Sequence, residues 1–238
     1  MISVIIEDEN IIVDKMVVIN DKNDVNHLKN SFRIKKEEII RGTDGENEYL
    51  LKVCEIEKKS IVAEILEKRE DNYSIDVQID AAIGILKNDK MNLTIQKLTE
   101  IGIDRIIPFY SERSVVKLNE KKEKWNLISK EALKQCQGVK FVEILEPNKL
   151  EKIDFLQYDL LIVLYEATQE NNLRELLKKQ KVIPKKVLYI IGPEGGFSEK
   201  EISFLIEKKC NIVTLGKRIF RAETASIVVG GVLKNEFQ

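Results

Sequence analysis

The chain has 238 residues, 33% of them charged and 43% hydrophobic, which suits one large or two small soluble domains with a sizeable core. Its 39 basic and 40 acidic side chains leave a net charge of −1, so any nucleic-acid contact has to come from local patches rather than from the whole surface. No apolar run approaches the roughly 18 residues that cross a bilayer, and MISVIIEDEN has neither a basic leader nor a secretory cleavage pattern, so no membrane partner and a cytoplasmic location are expected.

In chain order, residues 1–70 read as a small β-barrel domain. Apolar runs at 4–6, 17–19, 39–40, 49–53 and 61–66 alternate with turn signals such as Asn20-Asp21 and Thr43-Asp44-Gly45. Residues 24–32 are its one helical candidate, with Val25, Leu28 and Phe32 spaced three and four apart. The polar stretch EKREDN at 67–72 marks the boundary to a second domain, 73–238. There, 75–83 is strand-like, 87–91 a polar loop, and 93–101 an amphipathic helix closed by Gly102. A strand at 103–110 follows, then a helix over 121–137 with Trp125, Ile128 and Leu133 facing inward, strands at 142–145 and 160–165, and a helix at 172–179. Such alternation predicts an α/β fold with a mostly parallel sheet covered on both faces. Cys54, Cys136 and Cys210 are far apart and odd in number, and neither they nor His27 have ligand spacing, so reduced thiols and no metal are expected.

The stretch 186–231 carries the densest signal. A buried strand at 187–191 runs into Gly192-Pro193-Glu194-Gly195-Gly196-Phe197. Ser198 stands three residues before Glu201, the spacing of a capping box, so a helix starts near Glu199 with Ile202, Leu205 and Ile206 toward the sheet. A second strand at 212–215 ends at Gly216, which opens a loop holding Arg218, Arg221 and Glu223. In a parallel sheet both loops lie at the carboxyl edge, where ligands bind. The glycines allow φ > 0 and close approach of a flat ligand. The pattern is neither G-x-G-x-x-G nor G-x-x-x-x-G-K-[ST], which disfavours a dinucleotide or P-loop site. Candidate basic patches are Lys29, Arg33, Lys35, Lys36 and Arg41; Lys117, Lys121, Lys122 and Lys124; and Lys217, Arg218 and Arg221. The last helix, 224–235, is apolar on most sides and carries Ala225, Ser226, Gly230 and Gly231, small residues that fit a dimer interface.

Three segments, QKLTEIGIDRIIPFYSERSVV, IIGPEGGFSEKEI and LGKRIFRAETAS, closely resemble the ribosomal RNA small-subunit methyltransferase E family in order and spacing. HLKNSFR at 27–33 is similar to a weakened form of that family's HHL-x-x-VLR stretch, and the resemblance spans nearly the whole chain. It implies a SPOUT-class enzyme that uses S-adenosyl-L-methionine to methylate N3 of one uridine in 16S rRNA of the small ribosomal subunit. It further implies a homodimer, a trefoil knot in the C-terminal domain and a PUA-like RNA-binding domain at 1–70. On the resemblance, the cofactor is held by Leu164, Tyr165, Ile191, Gly192, Glu194, Gly195, Gly196, Leu215, Gly216, Phe220 and Ala222. Arg221 steadies negative charge on uracil and Glu223 is base or positioner, the alternative being an ion pair between the two that fixes the loop. RNA is met by Arg33, Lys36, Lys97, Arg113 and Arg218. Two departures concern RNA handling. Gly138, in Lys134-Gln135-Cys136-Gln137-Gly138, stands where the family has arginine, and the family's aromatic, arginine-bearing N-terminus is replaced by Met1-Ile2-Ser3-Val4. A SPOUT enzyme for another RNA is therefore the nearest rival, and a non-enzymatic RNA-binding protein is the alternative that two intact loops oppose.

Overall fold

The computed structural model describes residues 1–7, 9–87, 89–114, 123–168 and 171–238, and divides into two units. One comprises Met1–Ser74 with Leu133–Phe141, the other Ile75–Ala132 with Val142–Gln238.

In the first unit, six strands form one sheet: β1 (Ser3–Ile5), β2 (Ile11–Val13), β3 (Met16–Ile19), β4 (Ile39–Thr43), β5 (Asn47–Ile56) and β6 (Ile61–Glu70). Their order is β1-β4-β5-β6-β3-β2, and only β1 and β4 run parallel. Period-two alternation sends Leu51, Val53, Ile61 and Ala63 into a core shared with Val17, Ile19 and Ile40. Among the described residues no pairing joins β1 to β2, so the expected barrel is present as a half-barrel sheet. Asp21 caps α1 (Lys22–Asn26), which continues as a π-turn over His27–Ser31.

Two sequence expectations are corrected here. Residues 67–70 of the polar stretch complete β6, whose end is exposed, so the part of that stretch outside regular structure begins only after Glu70. Arg41, grouped with a basic surface patch, is only 2% exposed. It is ion-paired to Glu48, and its Nη2 donates to the Gly138 carbonyl at 2.9 Å. Thr43 Oγ1 donates to Val139 O at 2.9 Å, so β4 holds the 133–141 segment from its own unit.

The second unit is built from β7 (Gln78–Gly84), α2 (Asp89–Ile101), β8 (Arg105–Tyr110), α3 (Glu123–Cys136) as far as Ala132, β9 (Glu143–Ile144), β10 (Asn148–Lys149) and β11 (Leu160–Leu164). It continues with α4 (Leu173–Lys178), β12 (Lys186–Ile191), α5 (Glu199–Glu207), β13 (Asn211–Val213) and α6 (Ala222–Glu236). The strand order is β10-β8-β7-β12-β11-β13 with β9 beside β8, and every pairing is parallel, as the alternation predicts. β11 and β12 are apolar nearly end to end because both faces are covered. Ile95, Leu98, Val229 and Leu233 of α2 and α6 pack on one face, and Leu205 of α5 with Phe197 on the other.

Local expectations shift by small amounts. α2 begins at Asp89 rather than at 93, because Met91 is buried and belongs to the helical stripe. Ile206 is 57% exposed, so the buried contact of α5 rests on Leu205. Lys117, Lys121 and Lys122 lie outside the described residues, while Trp125 and Leu133 of α3 are buried as expected. Part of the small face of α6 is occupied within its own unit, while a Cβ on Gly231 would meet nothing within 4 Å. Ser226 is fully buried and its carbonyl accepts from Tyr189 Oη at 3.2 Å, and a Cβ on Gly230 would lie 3.1 Å from that same oxygen.

Candidate active site

The carboxyl ends of β11, β12 and β13 deliver three loops to one edge, and between them lies a cavity of about 840 Å³. That volume falls within the range that accommodates a drug-sized ligand. Leu164, Ile191, Phe197, Leu215, Ala222 and Ala225 give it apolar walls, while Thr168, Asn172, Thr214, Glu166, Glu194 and Lys90 supply polar groups.

The glycine loop is shaped by two different needs. Gly196 has φ +68°, a left-handed conformation that side chains rarely adopt, and its N–H donates to Pro193 O at 2.8 Å. Gly195 needs no unusual φ; it is a point of close approach, where a Cβ would lie 2.9 Å from the carbonyl oxygen of Arg113. Gly84, which the sequence reading passed over, matters equally. A Cβ there would lie 2.5 Å from the backbone nitrogen of Pro193, so the end of β7 must be glycine for the loop to lie across it.

Ser198 and Glu201 form the expected capping box. Glu201, 6% exposed, does more than cap. Its Oε2 accepts from Ser198 N at 2.8 Å and Ser111 Oγ at 3.1 Å, and its Oε1 from Glu112 N at 3.0 Å. One buried carboxylate thereby ties the start of α5 to the turn after β8. Arg113, in that turn, donates from Nη1 to Gly195 O at 3.3 Å.

Arg221 and Glu223 have opposite surroundings. Arg221 caps α6 with its backbone, but its side chain is exposed, lines the cavity and makes no ion pair or hydrogen bond among the described residues. Glu223 is 7% exposed, and its Oε2 is buried without a hydrogen-bond donor. The nearest cation to that oxygen is Lys90 Nζ at 3.7 Å, which also lies 3.3 Å from Glu194 Oε1. The pairing of Glu223 is thus with Lys90 rather than with Arg221. Burial works against the charge on Glu194, but backbone N–H groups of Glu194 and Lys87 together with the Lys90 ammonium outweigh it and hold that carboxyl below the usual carboxylate range.

Of the residues singled out from sequence for the cofactor, ten line the cavity: Leu164, Tyr165, Ile191, Gly192, Glu194, Gly196, Leu215, Gly216, Phe220 and Ala222. Gly195 does not, lying against Arg113 instead. Arg218 and Arg221 are on the lining, whereas the Lys97 ammonium is bound to both oxygens of Glu100, at 2.8 and 2.9 Å. Arg33 and Lys36 are exposed in the other unit. The sequence reading missed Lys90, Glu166, Thr168, Asn172 and Thr214. Only Asn172 carried a local signal, as the side-chain cap of α4.

Residues 74–234 match a family model described as an RNA methyltransferase domain. A ribosomal RNA small subunit methyltransferase E from Mesomycoplasma hyopneumoniae is 32% identical over 217 residues, covering 85% of this chain and 87% of its own. The chain belongs to the ribosomal RNA small subunit methyltransferase E family. The Bacillus subtilis member is 29% identical over 86% of this chain and 84% of its own. A crystal structure of the Neisseria gonorrhoeae member, bound to S-adenosyl methionine, superposes with a TM-score of 0.85 at 26% identity, covering 99% of this chain and 97% of that one.

The cavity of this family member fits such a ligand. Apolar walls suit a purine, hydroxyl and amide groups at Thr168, Asn172 and Thr214 suit ribose, and Glu166 and Glu194 suit the ammonium and sulfonium cations. Gly196 keeps open a space that a side chain would enter, 3.2 Å from Glu166 Oε1. Among the described residues no group of His, Cys, Asp and Glu could hold a metal.

Proposed function

We propose that this chain methylates N3 of a uridine in 16S rRNA of the small ribosomal subunit, using S-adenosyl-L-methionine. The observation that carries the reading is the three-loop cavity with the Arg221 guanidinium on its lining and no partner for it among the described residues. An arginine kept free of internal ion pairs at a ligand cavity is available for a charge that the ligand brings or develops.

S-adenosyl-L-methionine, when bound, supplies an already activated methyl group, so the protein's contribution is orientation and electrostatics. Leu164, Ile191, Leu215 and Ala222 wall the site, and Gly192, Gly196 and Gly216 let backbone come close. Uracil must lose its N3 proton as N3 acquires carbon, and negative charge then spreads onto its ring oxygens. Arg221 neutralises that charge. Glu223, with a buried oxygen awaiting a donor, accepts the proton or orients the group that does. Lys90 keeps the carboxylates of Glu194 and Glu223 balanced beside it.

The same reading includes a SPOUT-type trefoil knot in 73–238, a PUA-like role in RNA binding for 1–70, a homodimer and a cytoplasmic location. Strand order supports the knot: β13 pairs with β11 on the side away from β12, so the chain leaving β12 passes over β11 to reach its place. The open sheet of unit one, with Arg33 and Lys36 exposed, supports the RNA-binding role. A second reading, the same chemistry on another RNA, is favoured by Gly138, whose carbonyl is tied to buried Arg41 where the family pattern places a cation.

The test is calorimetric titration with S-adenosyl-L-methionine, followed by mass mapping of nucleosides in small subunits from a deletion strain before and after treatment with the enzyme. One 16S uridine gaining a methyl at N3 supports the proposal. Cofactor binding with methylation of a different RNA moves the conclusion to the second reading, and no cofactor binding ends both.

A further inference from the structure

The loop from Gly216 to α6 sets an exposed aliphatic side chain among cations on the lining of the cavity. Ile219 is 81% exposed at the cavity. Lys217, Arg218 and Arg221 surround it in sequence, all three exposed, and none has an ion pair or hydrogen-bond partner for its side chain among the described residues. In a chain with 39 basic and 40 acidic residues, three unpaired cations within five positions are an unsatisfied demand for anions. An isolated branched aliphatic group in their midst is an unsatisfied demand for an apolar face.

A single-stranded or locally opened RNA segment meets both demands, with phosphates for the cations and a base face for the isoleucine. The chemistry of the proposed reaction adds a reason. N3 lies on the pairing edge of uracil, so the base must leave its pair and its stack before it can be methylated. We propose that Ile219 is the wedge that fills the gap left by the extruded nucleotide, while Lys217 and Arg218 hold the phosphates on either side of it. This rests on the uridine-N3 reading above. Apolar side chains that unstack bases while cations grip the backbone are a known solution to opening nucleic acid.

The experiment uses the full chain and a hairpin of 16S rRNA carrying the target uridine, with 2-aminopurine as its neighbour. Wild type should raise 2-aminopurine emission on binding. Ile219→Ser should lose most of that rise and slow single-turnover methylation at saturating RNA and cofactor by about tenfold or more, saturation separating this from any change in cofactor affinity at a residue on the cavity lining. Ile219→Phe, which keeps apolar bulk, should retain both signals. On a second RNA in which the target uridine is already unpaired beside an abasic site, Ile219→Ser should regain the wild-type rate, because no stack remains to be opened. Equal rates for wild type and Ile219→Ser on the hairpin would overturn the wedge, as would an equal loss on both RNAs. So would conversion of a sedimenting dimer to a monomer, which would assign Ile219 to a second copy. If wild type yields no N3-methyluridine at all, the functional reading fails instead, and the emission signal still judges the wedge.

Discussion

Arg221 and Glu223 are two residues apart, and the fold separates their fates. One side chain is left in solvent at the cavity, and the other is buried with an oxygen that has no hydrogen-bond donor. If the Arg221 fork meets charge that appears only as N3 loses its proton, Arg221→Lys should lower the turnover rate by about 10²- to 10³-fold while cofactor affinity changes little. Lysine keeps the charge but not the planar pair of donors. A loss confined to cofactor affinity, with single-turnover rate intact at saturation, would remove Arg221 from the reaction. Gly195→Val tests the glycine loop separately. Its first new atom would lie 2.9 Å from the Arg113 carbonyl oxygen, which is backbone and must shift. We expect a folded protein with S-adenosyl-L-methionine affinity reduced at least tenfold through displacement of the loop; unchanged affinity by calorimetry would detach this position from the site. At this scale the sequence marked residues whose signal is local, of which Gly192, Gly196, Gly216, Arg218 and Arg221 lie on the cavity lining. It was silent on Lys90, Thr168 and Thr214, because nothing in their own neighbourhoods distinguishes them from solvated surface.

Among elements, α5 shows how much a single buried carboxylate organises. The capping box of Ser198 and Glu201 was legible because both partners are three residues apart. The bonds from Ser111 and Glu112 to Glu201 were not, because those partners are about 90 residues away in sequence. Glu201→Gln keeps the shape but replaces one acceptor oxygen with a donor, setting it against N–H or O–H groups that have nowhere else to turn. Loss of stability of about 1–3 kcal/mol is expected from denaturant unfolding. At temperatures where the variant remains folded, cofactor affinity should also weaken, because the turn bearing Arg113 is no longer fixed against Gly195. A variant with full stability would show that these bonds are dispensable. The element boundaries that sequence misplaced have a common cause. EKRE at 67–70 reads as part of a domain boundary, yet it is an exposed strand end, and Met91 reads as loop, yet it is the first buried residue of α2. Polarity reports exposure and not backbone conformation.

For the whole molecule, the parallel character of the second sheet was readable from its alternation, since apolar runs without polar interruption require cover on both faces. The strand order was not, because passage of the chain over β11 to place β13 leaves no periodic trace in composition. Nor could the sequence reveal that 133–141 belongs with the first unit, since that depends on Arg41 and Thr43 reaching backbone carbonyls nearly 100 positions away. The two units have separate cores, and this separation makes a division of labour testable. Arg33 and Lys36 are exposed on the first unit, and the cavity belongs to the second. If the first unit grips RNA, reversing both charges to glutamate should weaken binding to small subunits while leaving S-adenosyl-L-methionine affinity as it was. For every phosphate that no longer meets a cation, the dependence of log affinity on log salt should flatten by about 0.7 for single-stranded RNA, because fewer counterions are released. A titration series across salt concentrations reads both numbers in one experiment. Affinity and slope that match the wild type would show that this patch is a solvated face, and would leave RNA recognition to the loop around Ile219.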